Sequence, residues 1–166
     1  GYYWLGTWGK GIVRFDPNSK SPETQYIPQP LPVDITGNAT GAIYHMVQDD
    51  VFHYIWVTSW KDLFAFRITK EGHLEQVDTS SFLTPGNKIL YEIYKDKDGK
   101  LWVSAFDVES FIIDIRDYIV QKYPLPDLRN QLKANPAINS LCKDEDGIFW
   151  FSQDRYGLCI YDSRKE

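Results

Sequence analysis

Sulfur is scarce in this chain of 166 residues: one methionine and two cysteines, Cys142 and Cys159. Two cysteines are too few for the disulfide framework that staples small secreted domains. Basic clusters are missing too. No run of Lys and Arg exceeds three residues, and the net charge is -5. That excludes the concentrated basic face that phosphate backbones require, so no nucleic-acid partner is expected. No apolar run approaches the ~20 residues of a membrane span, so any membrane attachment belongs to a parent protein. No leader pattern opens the chain, since Gly1-Tyr-Tyr-Trp4 already reads as strand. His45, His53 and His73 lack metal-ligand spacing. No Gly-x-Ser-x-Gly, His-Glu-x-x-His or P-loop occurs. The sequence therefore offers no catalytic residue, no metal site and no cofactor.

Aromatic residues, by contrast, are plentiful at 16%, including six Trp and eleven Tyr. Such side chains suit the pleated, half-buried surface of a sheet. Trp4, Trp56, Trp102 and Trp150 recur at intervals of about fifty residues. Each is followed by a small or hydroxyl-bearing stretch: Leu-Gly-Thr7, Val-Thr-Ser59, Val-Ser-Ala105 and Phe-Ser-Gln153. Eleven residues beyond three of these Trps stand Phe15, Ile113 and Tyr161, each followed by Asp; the second unit has Phe66, one residue early. Upstream, apolar strands beginning at Ile43, Ile89 and Ile138 run into Asp49-Asp50, Asp96-Lys-Asp-Gly99 and Asp144-Glu-Asp-Gly147. Gly1 aligns with Gly99 and Gly147. Several short strands per unit, repeated at this period, are the pattern of propeller blades.

The expected fold is therefore all-β: a β-propeller fragment of about three to four blades, built from repeated antiparallel four-stranded sheets. It forms one domain over 1–166, with units near 1–42, 43–88, 89–137 and 138–166. Pairing across the 144–147 turn sets Leu141 opposite Trp150, and pairing across the 154–156 turn sets Trp150 opposite Ile160. Both faces of the middle strand are then apolar, as blade stacking requires. Cys142 and Cys159 fall on flanking strands, offset along the sheet, and read as buried free thiols. Pro28-Gln-Pro-Leu-Pro32 reads as loop, and Asp127–Lys133 could hold a helical turn. Propellers have ~4–8 blades of four strands, more than this length supplies. An open arc presents apolar faces and unpaired edges, which predicts self-association.

The pattern Asp-x-Asp-Gly-x-Leu/Phe-Trp-Val/Phe-Ser, a Gly-bearing turn, and an apolar strand closing in Tyr/Phe-Asp resembles the two-component regulator propeller repeat. Trp4-Leu-Gly-Thr-Trp-Gly-Lys-Gly-Ile-Val-Arg-Phe-Asp16 matches it closely. The resemblance covers all four units. The second unit departs from it with Asp50-Val-Phe-His53 in place of the Gly turn, and the third has Asp107-Val-Glu-Ser110 after its Trp. The family builds propellers in the extracytoplasmic sensor region of hybrid histidine kinase/response regulators of Bacteroides-type bacteria, which sense glycan breakdown products. The resemblance thus implies a periplasmic sensor segment, an oligosaccharide ligand and no catalysis in this chain.

Trp8, Trp60 and Phe106 each lie four residues after a repeat Trp, where the chain leaves a strand for a turn. Rings at a propeller mouth can stack on sugar faces while keeping a polar handle; equally, they can pack against the neighbouring blade. Asp62, Glu109 and Arg155 share those turns and could bond sugar hydroxyls, or simply sit solvated. The Asp-x-Asp-Gly turns do not fit calcium, because an EF-hand places its Gly sixth and a Glu twelfth. Hairpin geometry accounts for them. Rival readings are a propeller lyase or glycosidase, which needs converging carboxylates, and a protein-interaction scaffold.

Overall fold

A computed structural model describes residues 1–29, 42–60, 62–81, 89–105, 110–117, 119–122, 138–153 and 157–162. Four antiparallel meanders follow one another along the chain. The first holds β1 (Tyr3–Gly6), β2 (Ile12–Phe15) and β3 (Tyr26–Gln29), with a one-turn helix α1 (Pro22–Gln25) leading into β3. The second holds β4 (Ile43–Gln48), β5 (Ile55–Ser59), β6 (Leu63–Ile68) and β7 (Leu74–Val77). The third holds β8 (Leu90–Lys95), β9 (Lys100–Ala105), β10 (Phe111–Asp114) and β11 (Ile119–Lys122). The fourth holds β12 (Ile138–Lys143), β13 (Ile148–Gln153) and β14 (Gly157–Asp162). Each sheet is a blade, and the chain is a propeller fragment of four blades. Two blades have the expected four strands, while the outer two show three among the described residues.

Blade stacking follows from the side-chain alternation of the middle strands. Residues on either side of each repeat Trp point back to the preceding blade, and the Trp points forward to the next. Ile55 and Val57 join Trp4 and Ile12 in one cluster, between blades 1 and 2. Trp56 joins Leu90, Leu101 and Val103 in a second, between blades 2 and 3. Trp102 joins Leu141, Phe149 and Phe151 in a third, its ring centroid 4.1 Å from that of Phe149. Strands that carried apolar residues on both faces therefore form three cores rather than one. Burying such a side chain contributes about 1.5–3 kcal/mol each.

The turn before each repeat Trp is organised by one carboxylate. Asp96 Oδ1 accepts the backbone N–H groups of Asp98 (3.0 Å) and Lys100 (2.9 Å), while Oδ2 accepts the indole N–H of Trp102 at 2.8 Å. Asp144 repeats the set with Asp146, Ile148 and, at 2.7 Å, Trp150. Asp49 does the same in blade 2, reaching Trp56 at 2.8 Å. Asp49 and Asp96 are buried, yet all their bonds are charge-assisted. Gly99 and Gly147 have φ of 81° and 83°, the left-handed region that glycine enters without strain. In blade 2 His53 takes that position with φ 58°.

The structure departs from the sequence expectations in the register of β12, in thiol burial and at Pro28–Gln29. Trp150 pairs with Cys142, not Leu141, while its pairing with Ile160 holds. The 144–147 turn is a three-residue loop closed by Gly147 N–H to Asp144 O (3.1 Å) and Asp144 N–H to Ile148 O (3.0 Å). Its extra residue shifts the register by one and exchanges the faces of β12. Leu141 is consequently buried and Cys142 exposed, and Cys159 is half-buried, so neither thiol is fully enclosed. Finally, Pro28 and Gln29 belong to β3, which is at the edge of its sheet among the described residues, where a missing N–H is tolerated. The 127–133 segment lies outside the described residues.

Candidate functional site

One end of the arc collects the residues that chemistry would use. There β4, β8 and β12 begin and β5, β9 and β13 end, as the pairs Ile43–Ser59, Leu90–Ala105 and Ile138–Gln153 fix. All three inner strands carry a register shift at this same point, between Ile43 and His45, Leu90 and Ile93, and Ile138 and Ser140. A bulge leaves an extra residue out of the ladder and re-aims its side chain. The residues so released are Tyr44, Tyr91 and Asn139, one position past the first strand residue in each blade.

The hydroxyl two residues after the repeat Trp occupies the gap. Thr58 Oγ1 accepts the N–H of His45 (3.1 Å) and donates to the carbonyl of Tyr91 (3.1 Å), tying blade 2 to blade 3. Ser104 Oγ accepts the N–H of Glu92 at 3.0 Å. The hydroxyl-bearing stretch after Trp is thus a device for satisfying backbone that the bulge would orphan.

Trp8 stands at the head of this row. Its turn is fixed by Thr7, whose N–H and hydroxyl both donate to Gly11 O at 2.9 and 2.8 Å. The N–H of Ile43 donates to Thr7 O at 3.1 Å, and Trp8 bridges to Ala42. So held, Trp8 remains 74% exposed. Its ring meets Tyr44 edge-on at 5.7 Å, and Tyr44 meets Tyr91 edge-on at 5.2 Å. Burial, with Tyr91 beside it, raises the Tyr44 phenol above the usual tyrosine value. An aromatic row therefore crosses three blades along one mouth.

Beside the row, His45 Nδ1 pairs with Glu92 across blades 2 and 3. The hydrogen bond to Glu92 raises the His45 pKa, against an opposing effect of burial. Trp60 follows β5 at the same end and is 50% exposed. Asp62 turns inward on its own backbone: its N–H donates to Ser59 Oγ (3.1 Å), and its Oδ1 accepts from Leu63 N–H (3.0 Å). Phe106, Glu109 and Arg155 lie outside the described residues. Trp8 and Trp60 are thus open to solvent rather than packed into the next blade. Tyr44 and Tyr91 were not singled out from sequence. Their shared offset from Ile43 and Leu90 was the available signal.

Among the described residues no three His, Cys, Asp or Glu side chains converge as a metal would need. Both oxygens of the Asp96 and Asp144 carboxylates accept N–H groups of their own hairpins.

No family model and no curated protein matches the chain. Solved structures do. The chain is similar over 98% of its length to the extracellular domain of the hybrid two-component system BT3049 from B. thetaiotaomicron, with TM-score 0.65 and 19% identity. It is similar over 96% to the extracellular domain of BT4673 from the same organism, with TM-score 0.62 and 21% identity. It is also similar over 97% to PorZ, a surface component of the type-IX secretion system of Porphyromonas gingivalis, with TM-score 0.58 and 16% identity. The chain spans 20%, 19% and 30% of these structures respectively. At these identities the likeness establishes the fold.

Proposed function

We propose that this chain is a sensory propeller segment from the extracytoplasmic region of a hybrid two-component histidine kinase and response regulator. In this reading it binds an oligosaccharide at the aromatic mouth and performs no catalysis. The observation that carries it is the row Trp8–Tyr44–Tyr91, with Trp8 held open and two tyrosines projected by bulges. Sugar rings offer C–H faces to such surfaces and hydroxyls to the phenol and indole edges. Fold likeness to extracellular domains of hybrid two-component systems supports the sensory role and the location. The kinase and regulator would belong to the parent protein.

Trp60 extends the same mouth, with Phe106, Glu109 and Arg155 assigned to it by sequence position. The Asp62 carboxylate accepts the N–H of Leu63 at the start of its own strand. Calorimetric titration with neutral and acidic oligosaccharides tests the proposal. One class should bind the unmodified protein and lose affinity in Trp8→Ala. Silence across the panel, or unchanged binding in Trp8→Ala, would contradict it. Release of new reducing ends from a polysaccharide would overturn the non-catalytic part.

A further inference from the structure

The inner strands bring a second feature to the mouth, one residue along from the aromatic row. We infer that His45 and Glu92 form the part of the mouth that reads sugar hydroxyls, and that they select neutral oligosaccharides against uronate-bearing or sulfated ones. This rests on the reading of the mouth as a carbohydrate site.

The placement follows from the register shifts that release Tyr44 and Tyr91. His45 is the next residue on β4, and Glu92 the next on β8. Thr58 and Ser104 accept their backbone N–H groups, so neither side chain is needed to satisfy its own strand. The pair sits between blades 2 and 3, both four-stranded and each flanked by a further blade.

His45 Nδ1 approaches Glu92 Oε1 more closely than it does the Ile93 N–H, at 3.4 Å, so the Nδ1 proton belongs to the Glu92 contact. Two atoms are left over. Among the described residues, neither His45 Nε2 nor the second oxygen of Glu92 has a hydrogen-bond partner, and that oxygen is not enclosed. The two side chains are 45% and 17% exposed, so the carboxylate is the more desolvated of the pair. A ligand lying on the row meets an acceptor at Glu92 and a ring nitrogen at His45.

That nitrogen accepts while the imidazole is neutral and donates when it is charged. A sugar hydroxyl both donates and accepts, so it bonds to either form and also donates to the Glu92 oxygen. A ligand carboxylate or sulfate only accepts. It finds a donor only while His45 is charged, and it always faces the Glu92 charge. The pair itself is neutral or negative, never positive. Nothing else on these strands offsets it: β4 and β5 carry no other charged residue, and Lys95 of β8 pairs with Asp50 at the far end. Lys143 likewise closes the far end of β12. Lys10, in the turn of Trp8, is exposed, where a charge contributes little. Among the described residues, the inner strands thus bring one carboxylate and no fixed cation to the mouth.

Calorimetric titration at neutral pH compares malto-, cello-, xylo- and mannohexaose with oligogalacturonate and a sulfated glycosaminoglycan hexasaccharide. At least one neutral sugar should bind about tenfold or more tightly than either acidic one. Glu92→Gln keeps the shape and loses the charge. It should weaken the neutral sugar about tenfold, as expected for one charge-assisted hydrogen bond, and narrow the gap to the acidic sugars. A packing role alone would weaken every ligand alike. Binding that Trp8→Ala abolishes, but that favours an acidic sugar or is indifferent to Glu92→Gln, would overturn the inference and leave the mouth standing. Silence across the panel would remove both. The unmodified protein supplies a second readout, because its three histidines give separable imidazole signals in proton NMR. A bound neutral sugar should move the His45 signal and leave those of His53 and His73 in place. A His45 signal untouched by a bound sugar would equally overturn the inference.

Discussion

Asp96 and Asp144 make the same bonds with different degrees of enclosure, which lets a single residue's contribution be measured. Asp96 and its Trp102 are both buried, whereas Asp144 and Trp150 are half-buried. Removing the carboxylate leaves an indole N–H and turn amides without acceptors, and the cost depends on whether water can replace it. Asp96→Ala should destabilise by about 2–4 kcal/mol and Asp144→Ala by about 1 kcal/mol, read from urea unfolding midpoints. Equal losses would contradict the role of burial. His53 offers the opposite sign. A β-carbon in the left-handed region costs about 1–2 kcal/mol, partly offset by glycine's greater freedom when unfolded. His53→Gly should therefore raise stability by up to about 1 kcal/mol. A lower melting temperature in that variant would exclude strain at this turn.

The strands were largely legible in the sequence, because apolar runs of four to six residues between Asp, Gly and Pro punctuation leave little choice. The Trp intervals located the blades for the same reason. What one sequence did not reveal was the register. The choice between a two-residue and a three-residue loop at 144–147 decides it, and only the left-handed Gly147 closing bond distinguishes them. The bulges were equally hidden, since Tyr44 and Tyr91 look like ordinary strand residues until the register shifts beside them are seen. Hence the turn positions of Trp8 and Trp60, both exposed, were legible while the bulges at the two tyrosines were not.

The inner strands also carry the pH dependence. His45 on β4 has a pKa raised by Glu92 on β8, so its charged form is favoured in the folded state. That contribution is full below the unfolded histidine value of about 6.5 and is lost as pH rises through the raised folded value. The stability gap between the unmodified protein and Glu92→Gln should narrow as pH goes from about 6 to 8. With His45 half exposed, the effect is small and best read as a difference in melting temperature. A gap that widens would reverse the assignment.

Across the whole molecule, two regularities set the layout: each repeat Trp faces forward, and the register shifts of the inner strands lie at the mouth. The forward rule consumes Trp4, Trp56 and Trp102 in three internal cores and leaves Trp150 facing outward. The bulge rule lines three blades up so that Tyr44 and Tyr91 continue the row begun by Trp8. Under the proposed function, the turns around this frame select the ligand. Removing the two tyrosines should leave the forward-facing cores intact, because neither side chain contributes to them. The most direct test of the mouth is therefore a calorimetric comparison of the unmodified protein with Tyr44→Ala/Tyr91→Ala, using the oligosaccharide that binds best. Each ring should contribute about 0.5–1.5 kcal/mol, so affinity should fall roughly fivefold to a hundredfold with the melting temperature nearly unchanged. Binding that survives the double substitution at full strength would contradict the account.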